Sequence, residues 1–306
     1  MIHESKIPGF TRQRIDVGDV TLSVHIGGTG PALLLLHGYP QNHMCWLNIA
    51  PHFAREFTCI IPDLRGYGDS DAPRDTSPDH RTYSKRQMAR DMVGLLDHLG
   101  HERAHILGHD RGGRVAYRFA LDHPGRLDRL GIIEIVPTGD FWRSWTAELA
   151  HKAYHWTFLA QPAPLPERMI DADPVAYMDH TLQSWTNAKS LDIFPAQALE
   201  SYRAQARDPA RIHAMCADYR AGATYDRDAD EADRDAGRKI EAPLRFLWAQ
   251  GGFPGQTGDP AALWKGWADQ VSDRSCVSGH FVMEENPEAV IDCFGAYFSQ
   301  PDGPGA

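Results

Sequence analysis

Asp110 is the first residue to examine for chemistry. It follows an apolar run, "AHIL", and precedes a helical pattern that stops at "HPG", within the stretch "GHDRGGRVAYRFALDHPGRL". That is a strand, a tight turn and a helix, with Gly108, Gly112 and Gly113 crowded around one carboxylate. Small residues on either side of such a turn let a side chain stand exposed at its tip, where nucleophiles of hydrolases sit. The unpaired N–H groups of the helix start keep a carboxylate there ionised. The plainer reading of Asp110 is a helix cap, which needs neither the three glycines nor a distant histidine. A carboxylate that attacks carbon forms an alkyl ester. Hydrolysis of that ester at the aspartate's own carbonyl requires a base for water. His280, in "SGHF", fits that role. The base needs an orienting acid, and Glu134, in "IIEIVPT", is our choice. A carboxylate flanked by isoleucines on a buried strand is costly unless something requires it. Asp259 and Asp140 stand behind it.

Arg111 and Arg114 come directly after the nucleophile, three apart on one face of the helix's first turn. Two guanidiniums near a helix N-terminus oppose its dipole. They make sense if they clamp an anion, because arginine binds carboxylates through a two-pronged fork. The plainer alternative is salt bridging to Asp or Glu of the cap. Arg118, a further turn on, reads as a surface residue.

The rest of the chain must position these groups. "RQRIDVGDVTLSVHIGG" reads as an antiparallel hairpin. "PALLLLHG", "FTCIIPDLRGYGDSD", "RAHILGHD", "RLDRLGIIEIVPT" and "PLRFLWAQ" read as strands. "YSKRQMARDMVGLLDHLG" reads as a helix closed by Gly100. Helical patterns also follow Asp110, run through "AALWKGWADQV" and open after His280. Strands alternating with helices predict a mostly parallel sheet covered on both faces. Residues 139–238 hold no convincing strand and predict a helical insertion. The division is therefore a core of residues 1–138 and 239–306, with a cap of residues 139–238. The tail "QPDGPGA" is expected to fray.

Thirty-one Lys and Arg against 41 Asp and Glu give a formal charge of −10. Such a chain is a poor binder of nucleic acid or anionic membrane, so arginines that hold an anion must be local. The N-terminal residues lack the apolar stretch of a secretory signal, and "ALLLL" is too short to span a bilayer. Five scattered cysteines without a C-x-x-C pair read as reduced thiols in a cytoplasm. His101, His105 and His109 are evenly spaced, but a strand through them turns them apart, so no metal site is expected.

An aspartate on an elbow, a helical insertion and a late Gly-His pair together resemble the α/β-hydrolase fold with a cap. "HGYP", "RGYGDS" and "SGHF" match that family's landmarks over almost the whole chain. "HDRGGR", "YHWTFLAQPAPLPE" and "MCADYRAGATYD" sharpen the resemblance to the fluoroacetate (haloacetate) dehalogenases. The resemblance implies hydrolysis of haloacetates to glycolate and halide. It implies Arg111 and Arg114 on the substrate carboxylate, and His155, Trp156 and Tyr219 on the halide. Tyr39, through its backbone, and Trp185 complete the pocket, with Phe253 as a departure that alters it. Glu134 is a second departure, since aspartate is usual there. The resemblance implies a homodimer and a small-molecule haloacid substrate, with no metal or cofactor. An epoxide hydrolase of the same fold is the nearest rival, and would use two cap tyrosines in place of the arginines.

Overall fold

A computed structural model describes residues 2–257 and 259–300; the tail expected to fray lies mostly outside them. Nine strands form one sheet: β1 (Ile2–Glu4), β2 (Phe10–Asp16), β3 (Thr21–Gly27), β4 (Ala32–Leu36), β5 (Thr58–Pro62), β6 (Ala104–His109), β7 (Leu127–Ile133), β8 (Leu244–Ala249) and β9 (Val271–Cys276). Their order across the sheet is β1-β2-β3-β5-β4-β6-β7-β8-β9. The first three strands join antiparallel, and all pairs from β5 to β9 are parallel. The central strands β4 and β6 are buried along their whole length, which is why "ALLLL" is a continuous apolar run and not an alternating one. The α/β-hydrolase architecture read from the sequence is the one observed.

Between the strands run α1 (Ala50–Phe53), α2 (Lys85–Leu99) and α3 (Asp110–Asp122). Eight helices lie between β7 and β8, with no strand among them: α4 (Thr138–Arg143), α5 (Ala147–Lys152), α6 (Tyr154–Leu159), α7 (Leu165–Asp171), α8 (Pro174–Trp185), α9 (Ala196–Ala206), α10 (Pro209–Ala223) and α11 (Tyr225–Asp235). Then come α12 (Pro260–Lys265), α13 (Val282–Glu285) and α14 (Pro287–Phe298). Among the described residues no helix is long and apolar enough to cross a membrane.

One local reading is corrected. The helix around "AALWKGWADQV" stops at Lys265, and Val271 opens the edge strand β9, whose middle is exposed and polar. An edge strand facing water lacks the apolar alternation that would have revealed it. His280 lies in the loop just before α13, where the sequence reading opens a helix.

The sheet order places the site. From β4 the chain crosses one way to β5 and later returns on the other side as β6, so the crevice above β4 and β6 is a topological switch point. Leu36 of β4 pairs with Gly108 of β6, so the two strands release their loops side by side. The first turn of α3 lies directly against the β4 exit. A Cβ added at Gly112 would stand 2.3 Å from the His37 carbonyl oxygen, and only glycine allows that approach.

Candidate active site

Asp110 has φ 46, a left-handed conformation that a non-glycine residue adopts only under constraint. That twist turns its carboxylate toward the β4 loop, where Oδ1 accepts the Tyr39 backbone N–H at 2.8 Å. Oδ2 lies 3.8 Å from Nε2 of His280. Burial pushes the Asp110 carboxyl up, but His280, His109, Arg111 and Arg114 outweigh this and hold it below the usual carboxylate range. Burial holds His280 below the ordinary imidazole value, with Asp110 opposing and Arg114 assisting. The pair is thus an ionised carboxylate beside a neutral imidazole. Trp185 contacts the His280 ring edge-on at 5.3 Å between centroids, and the His280 carbonyl lies 2.8 Å from His109 Nε2.

Glu134 also has a positive φ, 58, and is buried. Its expected contact with His280 is not made. Oε2 accepts the Ala249 backbone N–H at 2.6 Å, and Oε1 has no hydrogen-bond partner. The side chain is long enough to reach the loop after β8. There Oε1 occupies space in which a Cβ on Gly252 would lie 1.6 Å away. Burial pushes the Glu134 carboxyl well up, against the backbone N–H groups of Ala249 and Phe253. Neither alternative acid reaches the histidine in its place. Asp259 is exposed and caps α12 through the Ala262 N–H at 2.9 Å. Asp140 is ion-paired to Arg234 and accepts the indole N–H of Trp267 at 2.7 Å.

The two arginines separate. Arg111 is wholly buried and ion-paired to Asp218 of α10, with Nε 3.1 Å from Oδ1 and Nη2 2.8 Å from the Asp218 carbonyl. Salt bridging within the chain is therefore real for this residue, although its Nη1 has no partner. Among the described residues Arg114 has no carboxylate bond: Nη1 donates to the Val136 carbonyl and to Thr138 Oγ1, both at 3.0 Å, and Nε is unpartnered. Arg118 is not on the surface. It is buried and ion-paired to Asp122, Asp230 and Asp233, at 2.5 Å from the last. The insertion covers this face of α3 and supplies two of those acids, which helical periodicity in α3 alone could not show.

A cavity of about 440 Å³ lies over Asp110, and Arg114, Glu134, His155, Trp156, Trp185, Phe253 and His280 all line it. Arg111, Tyr39 and Tyr219 stand just behind that wall. The Tyr219 ring centroid lies 4.3 Å from the Arg111 guanidinium and 5.6 Å from both His155 and Trp156. Trp156 lies 4.6 Å from the Arg114 guanidinium. Burial takes the His155 pKa down to about 3, so this imidazole is neutral and keeps one N–H to donate.

Sequence reading overlooked the groups behind the arginines. In the sequence Asp218 is only the acid before Tyr219, and Lys85 only one residue of the stretch "YSKRQMARDMVGLLDHLG". Both are buried and ion-paired to each other, and Tyr67 donates its hydroxyl to Asp218 at 2.8 Å. His25, His43 and Asp63 also come together in the core. Asp63 already accepts the backbone and ring N–H groups of His43 and the Asp69 N–H. The two imidazoles stack face to face at 3.8 Å between centroids.

Residues 31–275 match the family model described as the alpha/beta hydrolase fold. A fluoroacetate dehalogenase from Burkholderia sp. is 43% identical over 92% of this chain and 91% of its own. A soluble epoxide hydrolase from Corynebacterium sp. is 32% identical over 89% of this chain and 91% of its own. Among solved structures, a provisionally assigned alpha/beta hydrolase from Nostoc sp. PCC 7120 superposes with a TM-score of 0.93 at 42% identity. That alignment spans 96% of this chain and all of the Nostoc one.

Proposed function

The chain belongs to the alpha/beta hydrolase family, and on that premise we propose that this hydrolase converts 2-haloacetates, fluoroacetate included, to glycolate and halide. The observation that carries the reading is an ionised, strained Asp110 facing a cavity with an arginine, Arg114, that has no carboxylate partner. A small substrate carboxylate supplies the missing counterion. Arg111 assists through its free Nη1. Halogen then points toward the N–H and O–H groups of His155, Trp156 and Tyr219. A departing fluoride needs such aimed donors.

Asp110 Oδ2 attacks the α-carbon as the carbon–halogen bond breaks, and the electron pair leaves with the halide. His280 then takes a proton from water, whose oxygen attacks the Asp110 carbonyl carbon. The oxyanion forms on Oδ1, where the Tyr39 N–H already donates. The bond between that carbon and Oδ2 breaks, Oδ2 takes the proton held by His280 and departs as the glycolate hydroxyl, and the restored Asp110 carboxyl releases the second water proton to solvent. Glu134, on the same cavity wall, is the acid of this reading. It makes no hydrogen bond to His280, and burial pushes its carboxyl well up. The helices of residues 139–238 act as the cap domain, and the working state is a homodimer.

Epoxide hydrolysis is the second reading. It is favoured by a second cap phenol, Tyr154, on the cavity wall in addition to Tyr219 behind it. One experiment addresses both: halide release from fluoroacetate and chloroacetate is measured beside diol formation from styrene oxide. A single turnover of chloroacetate in heavy-oxygen water should put label in Asp110 and leave glycolate unlabelled. Label entering glycolate directly, or diol formation without halide release, rejects the proposal.

A further inference from the structure

Two cations share one buried carboxylate behind the cavity. Asp218, at 0% exposure, is ion-paired on Oδ1 to both Arg111 and Lys85, while Oδ2 accepts the Tyr67 hydroxyl at 2.8 Å. Lys85 is itself 2% exposed. It opens α2, its backbone N–H donates to Asp226 at 2.8 Å, and its ammonium also touches the Met88 sulfur at 3.8 Å. Burying a lysine this deeply is expensive. The Arg111–Asp218 pair would be electrically closed without it, since one guanidinium and one carboxylate cancel.

We propose that Lys85 is a charge-setting residue: by sharing Asp218 with Arg111, it prevents that carboxylate from neutralising the guanidinium and leaves Arg111 attractive to a substrate carboxylate. The proposal rests on the reading that Arg111 and Arg114 receive that carboxylate. The surroundings agree with it. Burial and Arg111 push Lys85 down while Asp218 and Asp226 hold it up. Burial raises Asp218, but Arg111 and Lys85 together bring it down to about 2, so the shared carboxylate stays ionised. Asp226, the other acid near Lys85, is raised by burial, while Lys85 and Arg111 oppose the rise. Arg111 Nη1 is the donor left over. In a site shielded from water, one added charge several ångströms from an anion changes its affinity on the order of tenfold. Lys85 touches no substrate in this arrangement, so it is a positioning residue and not a catalytic one.

The test compares the full chain with Lys85→Met, Lys85→Gln and Lys85→Arg. Acetate and acetamide binding are followed by tryptophan fluorescence, beside KM and kcat for chloroacetate. The neutral variants should weaken acetate and raise the chloroacetate KM by about tenfold, with kcat little changed. Acetamide should bind them as it binds the parent. Lys85→Arg, which keeps the charge but changes the shape, should stay within about threefold of the parent. The proposal is overturned if acetate and acetamide weaken equally, or if the neutral variants bind acetate as the parent does. It is also overturned if the parent does not bind acetate, or if the neutral variants fail to fold, because the charge then serves stability. If acetate binding depends on Lys85 but no haloacetate is turned over, the charge-setting role stands and the reaction assignment falls.

Discussion

Substituting Gly252 by alanine should disable this site through Glu134, and shortening Glu134 should repair it. The alanine Cβ would stand 1.6 Å from Glu134 Oε1, whereas Cβ contacts essentially never fall below 3.0 Å. The carboxylate must therefore withdraw by about 1.4 Å, the difference of those two distances. One carbon–carbon bond is about 1.5 Å, so Glu134→Asp removes nearly the length that Gly252→Ala adds. Overpacking of this kind costs about 1–3 kcal/mol. Glu134→Asp alone removes one buried methylene and costs about 1 kcal/mol. The double variant should regain most of both losses, which makes the coupling energy about 1–3 kcal/mol. Urea unfolding of the four proteins measures it directly, and single-turnover chloroacetate kinetics shows whether ester hydrolysis follows. If the two substitutions add to within about 0.5 kcal/mol, the glycine and the glutamate are not matched and this account of the β8 loop is wrong.

His280→Asn should release about one halide per site and then stall as the alkyl-enzyme, since displacement by an ionised carboxylate needs no base; steady turnover would count against His280. Burial holds His280 below 6.5, and a base must be neutral, so turnover should be lost only as pH falls below that value; an acid limb centred above 6.5 assigns it to another group. Arg114→Ala should cost haloacetates about 2–5 kcal/mol in kcat/KM and haloacetamides far less; an unchanged ratio of the two would make Arg114 structural. Glu284 is buried, bonded to Gln41 and Tyr202, and pushed by burial up to about 8. The folded chain therefore holds a proton there that the unfolded chain loses above about 4.5, and stability falls as pH rises from that value toward 8. Glu284→Gln should gain in melting temperature over the parent from pH 5 to pH 8, and a constant difference would refute the assignment.

The sequence carried the sheet, the elbow and the cavity groups because each has a local signature. Asp110 sits among glycines, β4 is an unbroken apolar run, and His155 and Trp156 fall in one matched motif. The partnerships were not legible, because they join residues far apart in the chain. Nothing near Arg111 names Asp218 as its counterion, and nothing in α3 announces the acids of α11 that bury Arg118. Glu134 shows the same limit from the other side. Its residue type and strand position were readable, but the side chain's direction depends on the bare backbone at Gly252, more than a hundred positions later. The strand β9 was missed because a sheet edge facing water carries no apolar period.

The ion pairs along α3 constrain traffic through the protein. Arg111 and Arg118 on the core are tied to Asp218, Asp230 and Asp233 on α10 and α11. Swinging those two helices outward would strip buried guanidiniums of their counterions, a separation that costs several kcal/mol per ion. They form a fixed roof and not a shutter. The cavity meets solvent on the α5, α6 and α8 side, where the exposed His151, Tyr154 and His180 line it. The same ties join roof and floor into one cooperative unit, which should melt in a single step.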